Sequence, residues 1–188
     1  MDAQYVRAPP AVAANNPVER LGSLFEVHYD RLYRLARRLT PNADDALDLI
    51  QETFLKAARF PRSIPIGARE EEAWLVRVLI NIRRDQWRKA SLRDRHDKSQ
   101  AQGSKLAIGS ANPEATLIAR TAVWKALDIL PPRRRAIIVM HELEGLAIPA
   151  IASLLGITAI TVRWHLSRGR HDLTHALKAY MGDANENY

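Results

Sequence analysis

Apolar residues recur at three- and four-residue intervals along almost the whole chain, and no stretch alternates apolar and polar residues with the period of a strand. A chain patterned this way buries its apolar surface by packing helix on helix, so the expected fold class is all-α. The pattern breaks at length only once. Residues 91–113, SLRDRHDKSQAQGSKLAIGSANP, are polar, hold Gly103 and Gly109 and end at Pro113, which reads as a flexible linker. The expected layout is therefore two small helical domains, residues 18–90 and 114–181. A disordered arm (1–17) precedes them and a frayed polar tail (182–188) follows. Each block has about 70 residues, a size that can fold alone.

In the first block, Leu21, Leu24, Phe25, His28, Leu32, Leu35 and Ala36 form one stripe, and Thr40-Pro41-Asn42 ends that helix. A second helix is expected over 43–58, with Leu47, Ile50, Phe54 and Ala58 inward. Phe60 to Arg69 holds Pro61, Pro65 and Gly67 and reads as a loop. A third helix, about 70–90, carries Trp74, Leu75, Val78, Leu79 and Ile82 on one side. In the second block a helix from Glu114 is broken at Pro131-Pro132. Helices follow over about 133–143, 148–155 and from Thr158 to Tyr180.

Lys and Arg outnumber Asp and Glu by 28 to 21, a formal charge of +7. Such an excess suits a polyanionic partner, nucleic acid or an anionic membrane surface. There is no cysteine, which excludes disulfides, thiolate metal sites and a cysteine nucleophile. No apolar run reaches the roughly 18 residues a membrane span needs, so no membrane insertion is expected. The first 17 residues lack the apolar core of a secretory signal. No nucleophile–base pair, phosphate loop or metal cluster appears. The expectation is a protein without catalytic residues, metal, cofactor or small-molecule substrate.

Three segments carry the function. The first is IPAIASLLGITAITVRWHLSRGR: a short helix, a turn at Leu155-Gly156-Ile157, and a helix capped by Thr158. Ile148, Ile151, Ala152, Leu155, Ile157, Val162 and Leu166 are spaced to pack the two helices steeply. This is a helix-turn-helix pattern, whose second helix enters the major groove. Thr161, Arg163, Trp164, Ser167 and Arg168 face away from Val162 and Leu166. Arg163 or Arg168 can read guanine, or each can contact phosphate instead. Arg133-Arg134-Arg135 opens a helix, where the macrodipole disfavours cations; nearby phosphates or a solvated face would both account for it.

The second segment is DDALDLIQETFLKA. Asp44, Asp48 and Glu52 form an acidic stripe at i, i+4, i+8, and residues 42–55 contain no base. Like charges so spaced weaken a helix, so the stripe fits a docking surface for a basic protein better than a structural need. The third is EEAWLVRVLINIRRDQWRKASLRDR. There Arg77, Asn81, Arg84 and Arg88 make a basic stripe suited to DNA, including unpaired bases.

Together the three segments resemble the sigma-70 superfamily, in particular its extracytoplasmic-function (group 4) RNA polymerase sigma factors, over about residues 20–90 and 115–178. The resemblance implies binding to core RNA polymerase, promoter DNA and an anti-sigma factor in the cytoplasm. It implies a sigma region 2-like domain and a region 4-like helix-turn-helix domain. It places Asp44, Asp48, Leu49, Gln51, Glu52 and Phe54 at the clamp helices of the polymerase β′ subunit. Asn81, Arg84, Asp85 and Arg88 fall at the −10 element. Phe60 to Arg69 falls at a loop that captures a flipped base. Thr161, Arg163, Trp164, Ser167 and Arg168 fall at the −35 element, and region 4 also meets the β flap. The chain departs from the family where Ala147-Ile148-Pro149-Ala150 replaces the usual Ser or Thr cap and two acids, and where Trp164 and His165 replace a small polar residue and Arg. A sigma-like decoy for an anti-sigma factor and a free-standing helix-turn-helix regulator are the alternatives; the latter leaves the acidic stripe unexplained.

Overall fold

The computed structural model describes residues 17–97 and 122–185. The expected arm before Pro17 and the linker residues 98–113 lie outside them, as does the expected helix start at Glu114.

The described residues form helices joined by short turns, with no strand among them. α1 (Pro17–Leu39), α2 (Ala43–Arg59) and α3 (Ala68–Asp97) make the first block. α2 is started by Asn42. Its Oδ1 accepts from Asp45 N at 2.7 Å and its Nδ2 donates to Asp45 Oδ2 at 3.0 Å, a reciprocal cap on the first turn. α3 runs to Asp97, seven residues past the end the sequence suggests, because nothing in SLRDRHD breaks a helix.

The second block has a helical segment α4 (122–128), α5 (Pro132–Ile138), α6 (Ile148–Leu155) and α7 (Ala159–Asn185). Pro132 sits in the first turn of α5, where its missing N–H costs nothing. The expected single helix to Leu143 is not continuous in type. Val139–Leu143 widens into an i→i+5 turn, with Glu144 N donating to Val139 O at 3.1 Å. α7 continues to Asn185, into the residues expected as the tail.

The two blocks share one continuous core. Leu32, Leu39, Leu49, Leu75 and Leu79 of the first and Ile137, Met140, Ile151 and Val162 of the second are all fully buried within it. α5 and α6 pack on α3, and α5 also meets α1. Polar contacts cross the same boundary. Arg38 Nη1 donates to Glu144 Oε1 at 2.7 Å, and Arg31 Nη1 lies 3.7 Å from Glu144 Oε2. No single helix among the described residues is long and apolar enough to cross a membrane.

Candidate nucleic-acid interface

The helix-turn-helix forms as its residues dictate. α6 and α7 are turned 108° from one another. Gly156 takes the left-handed conformation (φ 65°) that ends α6, a region in which a Cβ is strained. Ile151, Ala152, Leu155, Val162 and Leu166 fill the angle between the helices. Thr158 Oγ1 accepts from Thr161 N at 3.1 Å and lies 2.8 Å from Thr161 Oγ1, so the Thr161 hydroxyl is engaged in this cap. α6 starts without a side-chain cap at Ala147, as its sequence implies.

This frame leaves Arg163, Trp164, Ser167 and Arg168 exposed on α7, with Trp164 57% exposed. Three neighbours shape that face. The Arg134 guanidinium lies 5.5 Å from the Trp164 ring centroid, and the His165 ring meets Trp164 edge-on at 4.9 Å. Arg134 Nη1 donates to Asp172 Oδ2 at 2.5 Å, and Asp172 Oδ1 lies 3.6 Å from Arg168 Nε. Burial, then the Arg134 and Arg133 charges, hold the His165 imidazole below its usual range, favouring the neutral ring. Arg134 and Arg135, which the sequence offers to phosphates or to solvent, thus have partners within the protein. Arg135 is 3% exposed, paired with Asp128 and bonded through Nε to Arg38 O at 2.7 Å.

On α3, Asn81 and Arg84 are half-buried while Asp85 and Arg88 are exposed. Arg84 Nε lies 3.5 Å from Asp85 Oδ1. Arg77, first of the basic stripe, is drawn to the second block, with Nη1 donating to Leu154 O at 3.4 Å. The preceding loop is tied down from α1. Arg20 Nη2 donates to Ile64 O at 3.0 Å and to Pro65 O at 2.8 Å. Ile64 is buried beneath it, while Phe60 and Ile66 stand out at 55% and 83% exposure. A loop with buried anchors and outward apolar tips can hold an unstacked base.

On α2 the acidic stripe is outward: Asp44, Asp48, Gln51 and Glu52 are all exposed. Among the described residues none of Asp44, Asp48 or Glu52 has an ion-pair partner. Leu49 and Phe54, which the resemblance puts in or beside the clamp-helix contact, are buried under this stripe. Leu49 is 0% exposed, and Phe54 is 8% exposed, its ring 5.0 Å from that of Phe25. The buried arc is Ala46, Leu49, Ile50, Thr53, Phe54 and Ala57 rather than the expected Leu47, Ile50, Phe54 and Ala58. Leu47 and Leu55 face outward beside the acids. Sequence hydrophobicity misses Thr53 because it hides its hydroxyl by donating to Leu49 O at 2.7 Å.

The comparisons with known proteins address the same segments. A family model for sigma-70 region 2 matches residues 24–93, and one for sigma-70 region 4 matches residues 120–173. The chain is 34% identical over 169 residues to the ECF RNA polymerase sigma factor SigE of Mycolicibacterium smegmatis; the match covers 85% of this chain and 62% of that relative. It is 33% identical over 160 residues to the ECF RNA polymerase sigma factor SigL of Mycobacterium tuberculosis, covering 85% and 89% of the two chains. Among solved structures, the sigma factor RpoE from Bartonella quintana, crystallised with the anti-sigma factor NepR, superposes with a TM-score of 0.57 at 26% identity. That match spans 85% of this chain and 98% of the other.

Proposed function

The chain belongs to the extracytoplasmic-function sigma factors of RNA polymerase, and from that premise we propose that it binds core polymerase through α2 and directs initiation by reading a −10 element with α3 and a −35 element with α7. The observation that carries this reading is the separation of charge on the surface. An acidic stripe without internal partners stands out on α2, while the exposed arginines Arg88, Arg163 and Arg168 lie on α3 and α7. The acids repel DNA and suit a basic protein surface; the guanidiniums suit phosphates and guanine edges.

In this reading the protein works in the cytoplasm, needs no cofactor and contributes specificity rather than chemistry. Asp44, Asp48, Gln51 and Glu52 meet the β′ clamp helices, with Leu47 and Leu55 beside them. Leu49 and Phe54 hold that surface from below. The loop around Phe60 and Ile66 takes a flipped base of the −10 element, and Asn81, Arg84, Asp85 and Arg88 line its strand. The second domain also meets the β flap. Because the Bartonella relative was crystallised with an anti-sigma factor, we infer a partner of that class for this chain, in a stress or envelope-signal response.

The test is transcription in vitro with core polymerase and a genomic template pool. Discrete start sites that depend on the added protein are expected. A folded protein that yields none overturns the reading. Asp48→Lys with Glu52→Lys separates it from a free-standing DNA-binding regulator. Core binding should fall at least tenfold, while −35 DNA binding by the unassembled protein persists.

A further inference from the structure

The recognition helix exposes a tryptophan between arginines, and the structure shows what holds it there. Trp164 is 57% exposed, yet its ring is fixed on two sides, by the Arg134 guanidinium 5.5 Å from its centroid and by the His165 ring edge-on at 4.9 Å. Arg134 is itself immobilised. Its side chain is 15% exposed, and Nη1 donates to Asp172 Oδ2 at 2.5 Å. Asp172 reaches back to Arg168 Nε at 3.6 Å. One carboxylate thus fixes a reading-face arginine and the cation that holds the indole.

This arrangement requires α5 and α7 to approach closely, and Gly169 provides the approach. A Cβ at Gly169 would lie 2.8 Å from Ile138 Cγ1 and 3.2 Å from Arg134 Cγ. Any larger residue would push away the side chain that covers Trp164. An indole held with its surface outward on a major-groove helix has little hydrogen-bonding vocabulary. What it offers is a rigid apolar face. The one apolar group that distinguishes bases in the major groove is the thymine C5-methyl.

We propose that Trp164 is a specificity-determining residue that reads a thymine methyl in the −35 element, and that Arg134, tethered by Asp172, is the positioning residue that holds it for this contact. The inference rests on the reading of α7 as the −35 helix. It assigns α5 a part in sequence recognition, and it sets the Trp164 contact apart from the guanidinium contacts of Arg163 and Arg168.

The experiment selects promoters from a pool randomised over the −35 element, using holoenzyme assembled with the full-length chain. Wild type is expected to enrich thymine at one position by roughly four- to tenfold, the range of one buried methyl group up to a well-packed contact. Trp164→Ala should flatten that position alone. Deoxyuridine in place of thymidine there should weaken wild-type binding by the same factor and leave Trp164→Ala unaffected. Arg134→Gln should lose most of the same preference, and Arg134→Lys, which keeps a cation beside the ring, should restore part of it. Thermal melts of each variant check folding, and a lowered midpoint without a change at that one position would mark Arg134 as merely structural. Equal binding of thymidine and deoxyuridine, or a uniform loss across all positions in Trp164→Ala, overturns the proposal. If wild type enriches no sequence at all, the −35 reading of α7 fails first and the proposal falls with it.

Discussion

Arg135 Nε donates to the backbone carbonyl of Arg38 at 2.7 Å, tying the second helix block to the C-terminal end of α1. The neighbouring carbonyl, Leu39 O, accepts from Arg83 Nε of α3 at 3.0 Å. Two guanidiniums from different blocks thus satisfy carbonyls that a helix end leaves open, where the macrodipole favours cations. The pairing tells on Arg83. Burial, then the charge of Arg135, lowers its pKa against the opposing pull of Asp45 and Asp128.

Replacing Arg135 removes a buried donor set and strands a carbonyl and a carboxylate at once. Arg135→Met should cost about 1–3 kcal/mol in urea unfolding, the range for leaving buried polar groups unsatisfied. Asp128 is partly exposed and can be rehydrated, which favours the lower half of that range. A value near zero would show that the Arg38 carbonyl finds water instead.

Glu144 holds the two blocks by charge as well. The i→i+5 turn at Val139–Leu143 delivers it to Arg38 and Arg31 of α1. A partly exposed pair contributes about 0.5–1 kcal/mol, so Glu144→Gln should lower stability by about that much in urea unfolding. The difference between wild type and Glu144→Gln should shrink with added salt, which screens the pair.

Gly169 pits helix propensity against packing. Alanine in mid-helix gains about 1 kcal/mol over glycine. Against that, its Cβ would stand 2.8 and 2.9 Å from Ile138 Cγ1 and Cδ1, and overpacking costs about 1–3 kcal/mol. Gly169→Ala should therefore be destabilising in wild type. In an Ile138→Ala background the two closest atoms are gone and only Arg134 Cγ, at 3.2 Å, must give by a few tenths of an ångström, so the same change should become far less costly or stabilising. A double-mutant cycle in urea reads the difference.

The helix-turn-helix is legible in the sequence because the residues that make it are local. Gly156, Thr158 and the spacing of Ile151, Leu155, Val162 and Leu166 act within a few residues of one another. The same holds for the acidic stripe, since Asp44, Asp48 and Glu52 share a face by helix geometry alone. What the sequence hides is long-range. Arg135 meets Arg38 across 97 positions and Arg134 meets Asp172 across 38, and no periodicity encodes either contact. The buried face of α2 escapes the sequence for a related reason. α2 packs on both α1 and α3, so its buried arc is wide enough to take in Leu49 and Thr53 and to turn Leu47 out. Partners set the boundary of a buried face, and partners are not written in the helix itself.

His165 links the exposed face of α7 to pH. In the folded protein its pKa is lowered, chiefly by burial and then by Arg134 and Arg133. The unfolded chain therefore binds the proton more readily than the folded one. Stability is full above the unfolded value of about 6.5 and falls as pH drops through it toward the lower folded value. Protonation would also place a third cation beside Arg133 and Arg134 and disturb the ring that contacts Trp164. Thermal melts of wild type between pH 8 and 5, compared with His165→Gln, isolate this group from the other histidines. Wild type should lose stability relative to the variant as the pH falls below about 6.5. Parallel curves would show that His165 titrates as it does in the unfolded chain.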